Sequence, residues 1–177
     1  MIVWKNPIPL RLMLSADSES FRTMPDGAAA LPLAPHPGAY GVQRKNHVHE
    51  GIDLYCPHGT PVQAVEAGQV VAIFPFTGVR AGSDWWEDTD AVLVEGASGV
   101  VVYGEIAPLC AVGQNVAAGE TLGHVVTVLK KDKGRPMAML HLELHDHGTR
   151  EAPEWPEMDK KPKTLRDPTP FLKQVAE

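Results

Sequence analysis

Six short segments dominate the pattern of this chain: PVQAV (61–65), GQVVAIF (68–74), AVLVE (91–95), GVVVY (99–103), TLGHVVTVL (121–129) and AMLHLEL (138–144). Each is rich in β-branched residues, whose crowding at Cβ restricts χ1 and suits the pleated surface of a sheet. Clusters of glycine, proline and aspartate separate them, and these are the residues that turn a chain between strands. Only TPFLKQVAE at 169–177 has the proline-led start of a short helix. The expectation is an all-β fold with few or no long helices.

A chain of 177 residues is long enough to bury a self-sufficient core as one domain. Any metal would therefore serve chemistry rather than folding. The formal net charge of −6 leaves no broad basic surface, which argues against nucleic acid and anionic membranes as partners. No run reaches the roughly eighteen apolar residues of a membrane span. At the start, Lys5, Pro7, Arg11 and Ser15 interrupt what a secretory signal needs as an unbroken apolar stretch. The chain as written is expected in the cytoplasm, or exported by a non-standard route. Cys56 and Cys110 form no CxxC pair and read as free thiols, so they do not fix the compartment.

Residues 22–41 are rich in alanine, proline and glycine, and 151–170 mix proline with charge. Both read as loops or surface straps, not second domains. In GSDWWEDTD (82–90), Trp85 and Trp86 are expected to fold back over a sheet edge, with a substrate-contacting lip as the alternative. GTPVQAVEAGQVVAI and VGQNVAAGETLGHVV echo each other weakly, as related β-hairpin units do.

The chemistry concentrates in HVHEGIDLYCPHGTPV, residues 47–62. His49 and Asp53 lie four apart around Gly51, which suits a turning or extended backbone better than a helix. Far along the chain, MAMLHLELHDH alternates. Met139, His141, Glu143 and His145 point one way and Leu140, Leu142 and Leu144 the other, as on a half-buried strand. Two imidazoles and one carboxylate are a donor set of catalytic zinc, softer than the all-oxygen shells of magnesium or calcium. The spacing alone suits better a strand histidine satisfied by ordinary hydrogen bonds. His47 shares a strand face with His49 and is an alternative ligand, whereas His145 lies ~13 Å beyond His141 and is too distant to share an ion. Glu143 is placed to orient the His141 imidazole from behind. His36, His58, His124 and His147 read as solvent or groove positions.

The order HEGIDLYCPHGTPVQAVEAGQVV, GVVVYGEI, VGQNVAAGETLG, MLHLEL and RDPTPFL resembles the LytM or lysostaphin-type zinc metallopeptidase domain. That resemblance covers residues 40–172, leaving 1–39 as an N-terminal extension and 173–177 as a tail. It implies a compact β-sandwich or barrel-sandwich hybrid of the duplicated-hybrid-motif type, with zinc in an open groove and activity on peptide cross-links of peptidoglycan. The family's HxxxD falls on His49 and Asp53, and the second histidine of its HxH on His141, so all three implied zinc ligands are present. Both proton-handling histidines are replaced: the first of HxH is Met139, and that of the Y-x-H strand is Glu105.

General acid–base help is worth about 10²–10⁴-fold, so the replacements imply slow peptide hydrolysis. The chain is thus expected to be a degenerate or atypical zinc peptidase that takes a wall peptide, or a protein partner, in its groove. Glu105 carries three alternatives: a general base that restores activity, a fourth ligand that closes the site, or a plain surface glutamate. HxGID also occurs in the glucose-type phosphocarrier domain, which would make the function histidine phosphotransfer. The order of segments suits the peptidase better.

Overall fold

The computed structural model describes residues 1–15 and 27–176. Its strands are β1 (Arg11–Ser15), β2 (Ala28–Pro32), β3 (Ile52–Tyr55), β4 (Pro61–Gln63), β5 (Gly68–Thr77), β6 (Thr89–Gly96), β7 (Gly99–Pro108), β8 (Asn115–Val116), β9 (Thr121–Val125), β10 (Met139–His145) and β11 (Leu165–Arg166). Among the described residues the one α-helix is α1 (Thr169–Lys173), with short 3-10 turns at Val79–Ala81 and Met158–Lys160, so the fold is all-β as the strand pattern predicts. All six predicted segments form strands, the fifth ending at Val125. No helix among the described residues is long and apolar enough to cross a membrane.

Strands β5, β6 and β7 form an antiparallel meander inside a nine-stranded sheet. The other edge of β7 serves two partners in turn. β10 pairs with it from Val100 to Gly104, and β9 takes over from Ile106 to Pro108. Glu105 sits at the hand-over with φ 66, a left-handed backbone that few side chains adopt. The far edge of β10 is divided likewise, between β3 at Met139–Leu142 and β11 at Leu144–His145.

The alternation of β10 turns Leu140, Leu142 and Leu144 into the main core, where they meet Ile52 and Leu54 of β3 and Val101 and Tyr103 of β7. Full burial of such a side chain contributes about 1.5–3 kcal/mol. The opposite face differs from the half-buried expectation, because His141, Glu143 and His145 are buried as well. Part of their cover comes from the proline-rich segment 151–170, whose Thr164 bonds His145. Trp155 is buried with Val48 and Leu165, its N–H donates to Glu50 Oε1 at 3.0 Å, and its carbonyl accepts from Val48 N–H at 2.8 Å. That segment is a strap, but one that seals a polar face.

The N-terminal part departs most from expectation. Trp4, Ile8, Leu12, Ala29 and Leu31 belong to the same core as the sheet, and Trp4 stacks on Phe171 of α1 at 4.7 Å. Residues 28–32, read as loop, are a buried strand in parallel register with β1, while 22–26 lie outside the described residues. Alanine has little intrinsic preference for strands, so AAALP carries no strand signal; it forms one because small side chains let β2 pack against β3. His36, expected at solvent or groove, is buried, and its Nδ1 accepts from Gly38 N–H at 2.9 Å.

Candidate metal centre

Two strands and one turn bring the predicted ligands together. Asp53 and His141 face each other across β3 and β10, and His49 arrives from the turn that precedes β3. A Cβ on Gly51 would lie 2.3 Å from the Leu142 carbonyl oxygen, so only glycine lets that turn rest against β10. The result is a tight triangle. His49 Nε2 lies 3.1 Å from Asp53 Oδ1, His141 Nδ1 lies 2.9 Å from the same oxygen, and the two nitrogens are 3.3 Å apart. Donors at zinc bonding distance and tetrahedral angles stand about 3.3 Å from each other.

The outer ring nitrogens are already engaged. His49 Nδ1–H donates to the Ala39 carbonyl at 3.0 Å, and His141 Nε2–H donates to Glu143 Oε1 at 2.8 Å. A neutral imidazole with one N–H so placed presents its lone pair at the other nitrogen. Two lone pairs and a carboxylate oxygen therefore converge, which is repulsive unless a cation or a proton sits among them. Arg44 Nη2 donates to the other oxygen, Asp53 Oδ2, at 2.6 Å and to the Pro37 carbonyl at 2.7 Å. This leaves Oδ1 as the inward donor. The set fits zinc in donor type, spacing and tautomer.

Protonation in the absence of an ion follows the same contacts. Burial opposes the charge on Asp53, yet the His49 and Arg44 charges and the imidazole hydrogen bonds outweigh it and hold the carboxyl well below its usual range. Burial likewise opposes charge on His141, and its bonds to Asp53 and Glu143 outweigh that, raising it well above an ordinary imidazole. Glu143 is lowered to about 2, because hydrogen bonds from His141 and His145 overcome its desolvation. An ion entering here displaces a proton held on His141.

Glu143 occupies the orienting position that the strand alternation predicts. The contact continues beyond it: His145 Nε2 lies 2.7 Å from Glu143 Oε2, and His145 Nδ1 lies 2.9 Å from Thr164 Oγ1. His145 is not among the three converging donors, yet it is tied to them through the Glu143 carboxylate. Its place on the His141 face was the available signal. Ala39 and Arg44 had none, since their parts depend on how residues 37–44 fold back over β3. His47 is not among the converging donors; its Nε2 faces Glu50 Oε2 at 3.9 Å. Glu50 and Glu143 also flank His141, but their hydrogen bonds to Trp155 and the two imidazoles account for them.

Glu105 lies on the β7 side of His141. Next to it, Gly104 pairs with His141, and its missing side chain makes room for Phe76, whose ring packs 5.4 Å from the imidazole. Glu105 Oε2 is sealed from solvent with no hydrogen-bond partner among the described residues. Burial, with the Asp53 charge adding, pushes this carboxyl up to about 8. It is no plain surface glutamate. It is also outside the group of donor atoms lying within 4.8 Å of one another.

Met139 stands beside Tyr55 in the wall of a cleft of about 680 Å³ that opens on Asp53. Trp86 is half-buried in the same wall, while Trp85 is 62% exposed and does not fold back over the sheet.

The sequence profile of peptidase family M23 matches residues 47–153. The chain belongs to peptidase family M23. The LytM/lysostaphin-type resemblance of its motifs is thereby borne out, and the phosphocarrier alternative is set aside. This M23 chain is similar to the antimicrobial peptidase lysostaphin from Staphylococcus simulans, at 22% identity over 77% of this chain and 48% of that one, with a TM-score of 0.51. It thus spans about half the length of that relative. It also matches the catalytic domain of lysostaphin crystallised in the absence of phosphate, at 19% identity over 90% and 99% of the two chains with a TM-score of 0.50. The third is LytU, at 22% identity over 78% and 81%, also with a TM-score of 0.50. At these identities the likeness is one of fold. No curated protein sequence gives a significant match.

Proposed function

We propose that this M23 domain holds one zinc ion with His49, Asp53 and His141. It receives a peptide in the adjoining cleft, either a peptidoglycan cross-link or a segment of a protein partner, and turns it over slowly or not at all. The observation that carries this is the convergence of three electron-pair donors whose rings are already oriented from behind. Bound zinc supplies an acidified water and polarises a carbonyl. The chain itself contributes positioning: Ala39 and Glu143 hold the two imidazoles, and Arg44 restrains Asp53 to one inward oxygen. It contributes little proton handling on the cleft side, because Met139 neither donates a hydrogen bond nor carries a proton.

A second reading rests on Glu105. Its sealed carboxyl oxygen, unpartnered among the described residues, lies next to Gly104, the strand partner of His141, and the charge of a bound zinc would favour the ionised form, which burial otherwise disfavours and which a general base needs.

Two measurements test these readings. Zinc-edge anomalous scattering and metal titration are expected to give one zinc per chain, lost in His141→Ala; a chain that takes no zinc refutes the site. Hydrolysis of cross-linked wall peptides is then compared between the zinc-loaded chain and Glu105→Gln. Slow, equal rates support the degenerate reading, and a rate abolished by Glu105→Gln replaces it with the general-base one.

A further inference from the structure

We infer that the cleft selects peptides bearing free carboxylates, an inference that rests on the peptide-binding reading above. The chain as a whole is anionic at −6, yet the charge lining its cleft is reversed. Arg44, Lys45 and Arg135 line it, and the one acid among the described lining residues is Asp53, whose outward oxygen Arg44 already neutralises at 2.6 Å.

Arg44 is committed to that ion pair and to the Pro37 carbonyl, but Lys45 and Arg135 are exposed and form no salt bridge among the described residues. They come from separate segments, one leading into the His49 turn and one leading into β10, and both line the cleft. Lys131, Asp132 and Lys133 precede Arg135 in the same segment, a net gain of one positive charge beside the cleft. A local positive field on a negative chain concentrates anions over about 10 Å at moderate salt. Tyr55 and Trp86 give the same cleft aromatic faces against which a short peptide can lie. A nucleic acid fits worse. It needs cations along an extended track, and the remaining surface repels a polyanion, whereas a peptide sets one or two carboxylates against Lys45 and Arg135.

The test uses the zinc-loaded full chain and two fluorescently labelled, end-blocked peptides, Gly-Gly-Glu-Glu-Gly-Gly and Gly-Gly-Gln-Gln-Gly-Gly, with binding read by anisotropy. The glutamate peptide is expected to bind about fivefold tighter at low salt, the contribution of two partly exposed ion pairs. That advantage should vanish at high salt and in the Lys45→Gln/Arg135→Gln variant, which leaves Arg44 and the ligand set intact. Equal affinities of the two peptides, discrimination that survives in the double variant, or tighter binding of an oligonucleotide of matched charge overturns the inference. Zinc affinity is read separately by competition with a chromophoric chelator. Zinc binding with equal affinities defeats only the charge selectivity, whereas a chain that binds zinc but neither peptide defeats the peptide reading along with it.

Discussion

Glu143→Gln separates orientation of the proposed metal ligand His141 from the fold. The carboxylate accepts from His141 Nε2 at 2.8 Å and from His145 Nε2 at 2.7 Å. Glutamine offers one carbonyl oxygen and one amide NH₂, so one of the two imidazoles must meet a donor. His145 can adapt: with its proton on Nδ1 it donates to Thr164 Oγ1, already 2.9 Å away, and presents a lone pair to the amide. His141 then keeps its N–H on the amide oxygen and its inward lone pair. What disappears is the negative charge behind the ligand.

Losing such an orienting carboxylate costs 10–100-fold in metal affinity, about 1.4–2.8 kcal/mol. The loss should narrow as pH falls, because zinc must displace the His141 proton, and without Glu143 that proton is held less firmly. Competition with a chromophoric zinc chelator across a pH series measures both, alongside thermal melting to confirm a folded variant. A Glu143→Gln protein that melts normally and binds zinc as tightly as wild type at every pH would refute the orienting role.

Further expectations follow from the same contacts. In the metal-free protein, Glu143 is depressed from 4.5 to about 2, so its stabilisation is complete above the unfolded value and is lost as pH falls from 4.5 towards 2. The loss is of order 3 kcal/mol, and the share that comes from His141 is not to be added again for the raised His141. Urea midpoints at about pH 5 and about pH 3 should differ in wild type and differ by less in Glu143→Gln, where the depressed Asp53 still contributes; an equal difference in the two proteins counts against it. Zinc binding should release about one proton near neutrality, read by calorimetry in buffers of different ionisation heat, and zero release would show that His141 was not protonated. Gly51→Ala sets a Cβ 2.3 Å from Leu142 O and 2.9 Å from its carbonyl carbon, which backbone must yield by roughly 1 Å. A destabilisation of about 3 kcal/mol with weakened zinc affinity is expected, and an unchanged melting temperature would disprove the close approach. Met139→His combined with Glu105→His should raise peptide hydrolysis by about 10²–10⁴-fold, since histidine tolerates the left-handed backbone at 105 better than most residues; no gain would mean that proton handling is not what the chain lacks.

The strands were legible because alternation and turn residues are local signals. Leu140, Leu142 and Leu144 announce their buried face, and the motif order around HEGID placed His49, Asp53 and His141 in one family pattern. Other features depend on contacts between distant segments. Nothing in AAALP marks β2 as core, because alanine gains its role only from the strand it packs against. Nothing in RKNHVH says that Arg44 will reach back to Asp53, or that Ala39 will hold His49. Nothing in YGEI shows that β7 changes partners at Glu105 and leaves one oxygen of that carboxyl sealed.

Periodicity along a strand therefore settled which side chains share a face, and so which donors could meet. Only the folded chain decided what lies over that face, because cover comes from 37–44, which folds back across nine or ten residues, and from 151–166. Burial by those segments turns two histidines and an aspartate from a spacing into a triangle about 3 Å on a side, with its lone pairs aimed at one point.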